Sequence, residues 1–400
     1  MKKISFSEHG KCALKLGGLC SLSYFVVYIV RNLLSAVTPQ MIESGLFTAD
    51  EIGSISSAFF FTYAIGQLIN GILGDRMRPS ILISFGLLFA GAANLIFTLF
   101  PQNDLIALIS YAATGFFLSM LYAPMTRVMA ENMPLKYATR CALGLNVASY
   151  FASPVVGVFA ALFLWQMVFH IGTVLLFIMG VICLISFSLL RRQNIISETK
   201  KEIEKKEHSG IKSLFRHRII TFTLVSALTG IIRTSVVFWM PTFFSQKLGY
   251  SPESAALIFT VSTTLIATNA FAAVWFYKLL KENMDLTLLL SFGLSTVFFL
   301  LLYFVTNPVL SILLMVLAIF FANCAASMLW SIYCPSLADT GLVSGATGFL
   351  DFVSYMAAAI SSSLFGNAVG TIGWDALILV WFALMLLGTF ITIPFKKKAK

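Results

Sequence analysis

The sequence predicts an all-α integral membrane protein, with twelve spanning helices in two six-helix repeats. Three observations carry this: composition, the distribution of basic residues, and an internal repeat. Of the 400 residues, 58 % are hydrophobic and 11 % charged, against about 25 % charged in an ordinary soluble domain. Mean hydropathy is +0.90. A spanning helix needs about 20 predominantly apolar residues. Twelve stretches qualify, centred near residues 27, 62, 89, 117, 151, 178, 232, 266, 295, 322, 356 and 384. Little chain remains for a soluble domain. The first stretch follows Lys2, Lys3, Lys11 and Lys15, contains Arg31 and lacks a small-residue cleavage site. It reads as a retained helix, not a signal peptide.

With an N-terminus inside the cell, 24 of the 27 Lys and Arg fall on the cytoplasmic side, Lys247 falls outside, and Arg31 and Arg233 stay within spans. That asymmetry predicts cytoplasmic termini; the expected location is the inner (cytoplasmic) membrane, as a multi-pass protein. It also explains the net charge of +10 as topology, so no nucleic-acid partner is needed. Cys12, Cys20, Cys141, Cys183, Cys324 and Cys334 are scattered, with no CxxC and no metal-ligand spacing. They read as free thiols packing as small apolar residues. No metal and no cofactor is expected.

The charged stretch from Arg191 to Arg218 divides the chain after six spans. The expected organisation is an N-terminal six-helix bundle over 1–190, a cytoplasmic linker over 191–218 and a C-terminal six-helix bundle over 219–400. An offset of 202 pairs Arg31 with Arg233, Pro39 with Pro241, Leu46 with Leu248, Glu51 with Glu253 and Arg76 with Lys278. Both intramembrane arginines therefore sit at equivalent depth in equivalent helices. Two such repeats are one of the architectures of secondary transporters, with the solute site at the midplane between them.

After the second span, "GQLINGILGDRMRPS" places Gly66, Asn70, Gly71 and Gly74 so that neighbouring helices can approach closely. Asp75 and Arg76 follow at the cytoplasmic end, placed to bond helix termini and to release as two halves rock. Gly71, Asp75 and Arg76 form a candidate conformational latch. The second half has Tyr277 and Lys278 there, which makes any latch asymmetric. The plainer reading is a packing motif with positive-inside anchors, and the two are compatible.

An ionisable group at the bilayer centre costs at least a few kcal/mol. Snorkelling does not suit Arg31, because Pro39 and the far end lie about two turns away. Ser21, Tyr24, Tyr28, Arg31, Ser35 and Thr38 recur at spacings of three and four, a polar stripe on one helix face. Other stripes are Tyr111, Gly115, Ser119, Tyr122 and Thr126 in the fourth span, and Asn146, Tyr150 and Ser153 in the fifth. The tenth carries Asn323, Ser327, Trp330 and Cys334, and the eleventh Ser344, Thr347, Asp351 and Tyr355. A common central cavity is the economical explanation. Two arginines facing it make an anion site, since planar guanidinium forks hold phosphate or carboxylate oxygens bidentately. Three roles are open to Asp351: neutralising an arginine in the empty carrier, binding a cationic or hydroxyl part of the substrate, or carrying a proton. A carboxylate beside two arginines tends to stay ionised, which favours the salt bridge.

The stretch from Tyr28 through "RNLLSAVTPQMIESGLFTADEIGSISSAFFFTYAIGQLINGILGDRMRP", with "IIRTSVVFWMPTFF" and "SGATGFLDFVSYMAAAISSSLFGNAVGTIGWD", resembles the organophosphate:phosphate antiporter family of the major facilitator superfamily. That family includes the bacterial glycerol-3-phosphate and hexose-phosphate transporters. The resemblance implies the major facilitator fold, phosphate binding by Arg31 and Arg233, and exchange by alternating access. Two departures stand out. The loop after the second span reads Asp75-Arg76-Met77-Arg78-Pro79-Ser80, where family members commonly carry Asp-Arg-x-Asn-Pro-Arg. The fifth span lacks the histidine used by several members, with Ser149 nearest its place; His170 near the start of the sixth span suits an interfacial packing role. These changes admit a carboxylate or other small organic anion.

The first expectation is thus a carrier for a small organic anion, a phosphorylated metabolite foremost, exchanged for inorganic phosphate or another anion. A proton-coupled symporter of a carboxylate or sugar acid using Asp351 is the alternative. A transporter-like receptor is a third, with only a short linker to signal through. An enzyme is not expected: the chain has no HExxH, no Gly-rich phosphate loop and no nucleophile–base pair. The expected partners are the anion, phosphate or a proton, and the lipid bilayer; the expected state is a monomer.

Overall fold

A computed structural model describes residues 8–196, 217–337 and 343–393, together with residue 215. Most of the expected linker over 191–218 lies outside the described residues. The spans form helices α1 (Gly10–Glu43), α2 (Ala49–Arg76), α3 (Pro79–Leu99), α4 (Asp104–Asn132), α5 (Leu135–Leu162) and α6 (Trp165–Arg192). The second set comprises α7 (Ile219–Gln246), α8 (Pro252–Ala267 with Asn269–Leu279), α9 (Met284–Phe304), α10 (Pro308–Tyr333), α11 (Val343–Thr371) and α12 (Gly373–Thr392). Eleven are long and apolar enough to cross a membrane as they stand, and α8 is the twelfth only as a broken pair bent by 41°. The stretch centred near residue 266 is therefore not one straight span. Thr268 N–H and Thr268 Oγ1 both donate to Leu265 O, at 3.1 and 2.7 Å, and close the first segment.

Local chemistry sets the helix ends. Thr48 and Glu51 form a capping box: Thr48 N donates to Glu51 Oε2 at 2.7 Å and Glu51 N to Thr48 Oγ1 at 3.3 Å. Asn103, Ser251, Asn283 and Asn307 cap α4, α8, α9 and α10 through their side-chain oxygens. Pro79, Pro252 and Pro308 stand at the first helical position, where a missing N–H is harmless. The first helix of each repeat ends just before a glycine at positive φ, Gly45 (+71°) and Gly249 (+77°), a conformation open to residues without a Cβ.

The chain divides into two compact units, Met1–Met41 with Ala58–Ile203 and Ile42–Ser57 with Glu204–Lys400. In the first, α3 packs on α4 and α6; in the second, α9 packs on α10 and α12. The repeat recurs in the pairing of α1 with α5 and of α7 with α11, both parallel. Asn32 Nδ2 donates to Ser153 Oγ at 3.0 Å, and Gln40 Nε2 to Ala160 O at 2.5 Å. In the second unit, Ser226 Oγ donates to Leu350 O at 2.6 Å and Ser235 Oγ to Ala358 O at 2.8 Å. Hydroxyls and amides bonded across small-residue contacts hold helices together where lipid supplies no hydrophobic drive. The start of α2 belongs to the second unit because Gly53 lies on Gly366: a Cβ on Gly53 would stand 3.0 Å from Gly366 Cα and 3.0 Å from Ser362 O. All six cysteines are buried and unpaired.

Candidate functional site

Arg31 is buried, 8 % exposed, on α1. Its guanidinium carbon lies 5.0 Å from the Tyr28 ring centroid, 5.3 Å from Tyr63 and 5.6 Å from Phe60, and Nη1 donates to Tyr28 Oη at 3.3 Å. A desolvated cation–π contact is worth up to about 2 kcal/mol, and placing arginine at the bilayer centre costs about 3 kcal/mol on insertion scales. Three aromatic rings therefore offset part of that cost. Tyr24 extends the cluster: Tyr24 Oη donates to Tyr28 Oη at 3.4 Å, and its ring lies 5.6 Å from that of Tyr122. Tyr122, on α4, is 37 % exposed, while Tyr24 is buried.

Phe60 and Tyr63 on α2 were not among the sequence-derived candidates. Their signal is present in "AFFFTYA", where Phe60 and Tyr63 stand three apart and share a helix face. Hydrophobic composition alone reads that run as core.

The polar stripes resolve into two kinds of residue. Tyr111 is 2 % exposed and rings Phe59, Phe97 and Phe169 surround it, at 5.0, 5.0 and 6.2 Å. Gly115 meets the Phe59 backbone, and Ser119 is fully buried against Gly66 and Asn70. The Ser153 hydroxyl is taken by Asn32. These positions serve packing within the first unit. Ser149 and Tyr150 on α5 are half-buried, and the α1–α5 register puts Ser149 level with Tyr28. The side chain of Asn146 lies outside the described residues. His170 is exposed.

In the second unit, Arg233 is half-buried within a π turn of α7, Ile231–Val236, and Trp330 within a π turn of α10, Leu329–Tyr333. Such turns inside helices recur at functional sites, because they re-aim side chains without ending the helix. Asn323, one face with Trp330, is 6 % exposed, and among the described residues its Oδ1 has no hydrogen-bond partner. It offers an acceptor to a hydroxyl, an amide or water. Asp351 is half-buried and Tyr355 buried, one turn apart on α11. By the α7–α11 register Asp351 lies level with residue 227, so Arg233 and Asp351 are offset by about 9 Å along the helices.

Gly71, Asp75 and Arg76 fall in the last turns of α2; their side chains lie outside the described residues. Beside them, Arg127 Nη1 donates to Met77 O at 3.3 Å and its Nε to Glu131 Oε1 at 2.8 Å. A guanidinium on carbonyls past a helix C-terminus complements the helix dipole. Arg127 thus joins the end of α2 to α4, a tie the loop motif did not reveal.

The sequence profile described as Major Facilitator Superfamily matches residues 20–362. The phosphoglycerate transporter protein of Salmonella typhimurium is 22 % identical over 384 residues, 88 % of this chain and 82 % of that protein. The glycerol-3-phosphate transporter of Bacillus subtilis is 23 % identical over 261 residues, 58 % of each. Among solved structures, a D-xylose-proton symporter superposes with a TM-score of 0.72 at 13 % identity, covering 96 % of this chain and 97 % of the other. That likeness speaks to the fold alone. The profile spans most of the chain and agrees with its helices and repeat: the chain belongs to the major facilitator superfamily, as a multi-pass transporter and not an enzyme.

Proposed function

We propose that this transporter carries a small organic anion, a phosphorylated metabolite foremost, in exchange for inorganic phosphate or another anion by alternating access. The observation that carries the reading is the arginine pair, Arg31 and Arg233, at one offset in the first helices of two repeats. Each unit contributes one permanently charged fork, and the relatives named for phosphoglycerate and glycerol-3-phosphate make an organophosphate the leading substrate class.

In this reading a phosphate or carboxylate takes bidentate hydrogen bonds from both guanidinium groups. Tyr24, Tyr28 and Tyr122 join Arg31 in contacting the anion in this reading, as do Asn146, Ser149 and Tyr150 of α5. Asn323, Trp330, Asp351 and Tyr355 serve the rest of the molecule. Two like charges resist approach in the empty carrier, and a bound anion lowers that barrier. Asp351 tempers the net charge. The bundles over 1–190 and 219–400 move about the linker over 191–218, with Gly71, Asp75 and Arg76 as the latch. The protein works as a monomer in the inner membrane with cytoplasmic termini.

The test is uptake of labelled glycerol-3-phosphate into liposomes holding the purified protein and internal phosphate, with Arg31→Ala and Arg233→Ala alongside. Uptake that needs internal phosphate and is lost in both variants is the expected result. Absent uptake by folded wild-type protein, with carboxylate uptake under an imposed proton gradient that Asp351→Asn abolishes, overturns exchange in favour of proton symport.

A further inference from the structure

Each unit clasps an asparagine to a serine three residues before an aromatic residue of the candidate site. In the first unit, Asn70 Nδ2 on α2 donates to Ser119 Oγ on α4 at 2.8 Å, and Ser119 Oγ donates to Phe116 O at 2.6 Å. Asn70 is 1 % exposed and Ser119 fully buried. Gly66, one turn before Asn70, leaves the space Ser119 fills. The first segment of α4, Asp104–Leu118, ends at this clasp, and Tyr122 begins the second, Tyr122–Asn132.

The second unit repeats the arrangement. Asn269 is fully buried where α8 breaks; its Nδ2 donates to Ile266 O at 2.6 Å, and its Oδ1 accepts from Ser327 Oγ on α10 at 3.1 Å. Regular α-helix in α10 ends at Met328, and the π turn Leu329–Tyr333 that follows carries Trp330. An offset of 208 brings Gly115 onto Asn323, Ser119 onto Ser327, Tyr122 onto Trp330 and Thr126 onto Cys334. The serines and aromatic residues are therefore repeat-related, whereas the asparagines, 199 residues apart, reach them from different positions: Asn70 donates to its serine from an unbroken α2, and Asn269 accepts from its serine at the break of α8.

A helix transmits position through its i→i−4 hydrogen bonds, and that ladder is interrupted after each serine. What sets the direction of the next residues is then the anchor on the last regular turn. The aromatic residue stands three positions beyond the serine, directly across that interruption. We propose that Asn70 and Asn269 are positioning residues, which through Ser119 and Ser327 set the orientation of Tyr122 and Trp330. The assignment rests on the reading of Tyr122 and Trp330 as site residues, but its test needs no substrate.

The experiment is fluorine NMR of the full chain in lipid nanodiscs, with 5-fluorotryptophan at the six tryptophans and the Trp330 line assigned by Trp330→Phe. Ser327→Ala and Asn269→Ala are expected to shift or split the Trp330 line, leaving those of Trp239 and Trp381, buried in the same unit, in place. Losing one hydrogen bond raises an alternative ring position about fivefold in population. Ser327→Thr keeps the hydroxyl and restores the wild-type line. Asn70→Ala leaves Trp330 untouched and moves the Tyr122 line in 3-fluorotyrosine-labelled protein, assigned by Tyr122→Phe. An unmoved Trp330 line in Ser327→Ala, or Ser327→Thr behaving like Ser327→Ala, overturns the proposal. If Asn269→Ala does not fold, Ser327→Ala decides alone, because it leaves the Asn269–Ile266 bond intact. A wrong substrate assignment silences uptake and leaves these lines as expected, so the two failures are distinct.

Discussion

If the ring faces of Tyr28, Phe60 and Tyr63 hold Arg31 inside the bilayer, Tyr63→Leu destabilises the protein only while the arginine is present. Leucine keeps most of the buried apolar volume and removes the π face 5.3 Å from the guanidinium. A buried cation–π contact is worth about 1–2 kcal/mol, a large part of the roughly 3 kcal/mol that arginine costs at the bilayer centre. The assay is a double-mutant cycle of Tyr63→Leu and Arg31→Met, read as unfolding free energy in mixed micelles. A coupling of about 1–2 kcal/mol is expected, and Tyr63→Phe, which keeps the ring, stays near wild type. A coupling within about 0.3 kcal/mol, the ordinary scatter of independent sites, refutes the cage. Equal damage by Tyr63→Phe and Tyr63→Leu assigns the effect to the hydroxyl instead.

Gly53→Val drives a side chain into the Gly366 backbone and Ser362 O, which have no rotamer by which to move away; a loss of about 1–3 kcal/mol is expected in thermal unfolding. Ser235 Oγ meets Ala358 O, Ser361 Oγ and Ser362 Oγ at 2.8, 2.7 and 3.0 Å. Ser235→Ala is therefore expected to lower stability by about 1 kcal/mol, and Ser235→Val by more through overpacking of α7 on α11, both read from unfolding midpoints. The Lys247–Asp375 pair at 2.7 Å joins the end of α7 to the start of α12 in an exposed place. Asp375→Asn changes stability by less than about 1 kcal/mol, and raising the salt concentration shrinks the difference.

The spans, the repeat and both intramembrane arginines were legible in the sequence, because hydropathy, charge and spacing along one chain report directly on what a bilayer tolerates. An arginine flanked by apolar residues announces a need for partners. Helical spacing also identified Tyr24, Tyr28 and Arg31 as one face. What that periodicity does not say is what a face meets. Tyr111, Ser119 and Ser153 have the same spacing credentials as Tyr122, yet the first three are consumed by helix packing and Tyr122 is exposed.

The rest was decided by tertiary structure. Phe60 and Tyr63 became part of the Arg31 environment only because α2 lies against α1, and an aromatic run carries no local mark of the cation it covers. The break in α8 has no proline or glycine to announce it; the Thr268 hydroxyl and the Asn269 amide bond the freed carbonyls of Leu265 and Ile266. Sequence alone determined that this chain spans a membrane as two related halves with a charge in each. Which polar groups hold the bundles together was settled by helix-on-helix contact, because hydrogen bonds and ring faces are shared between residues distant along the chain.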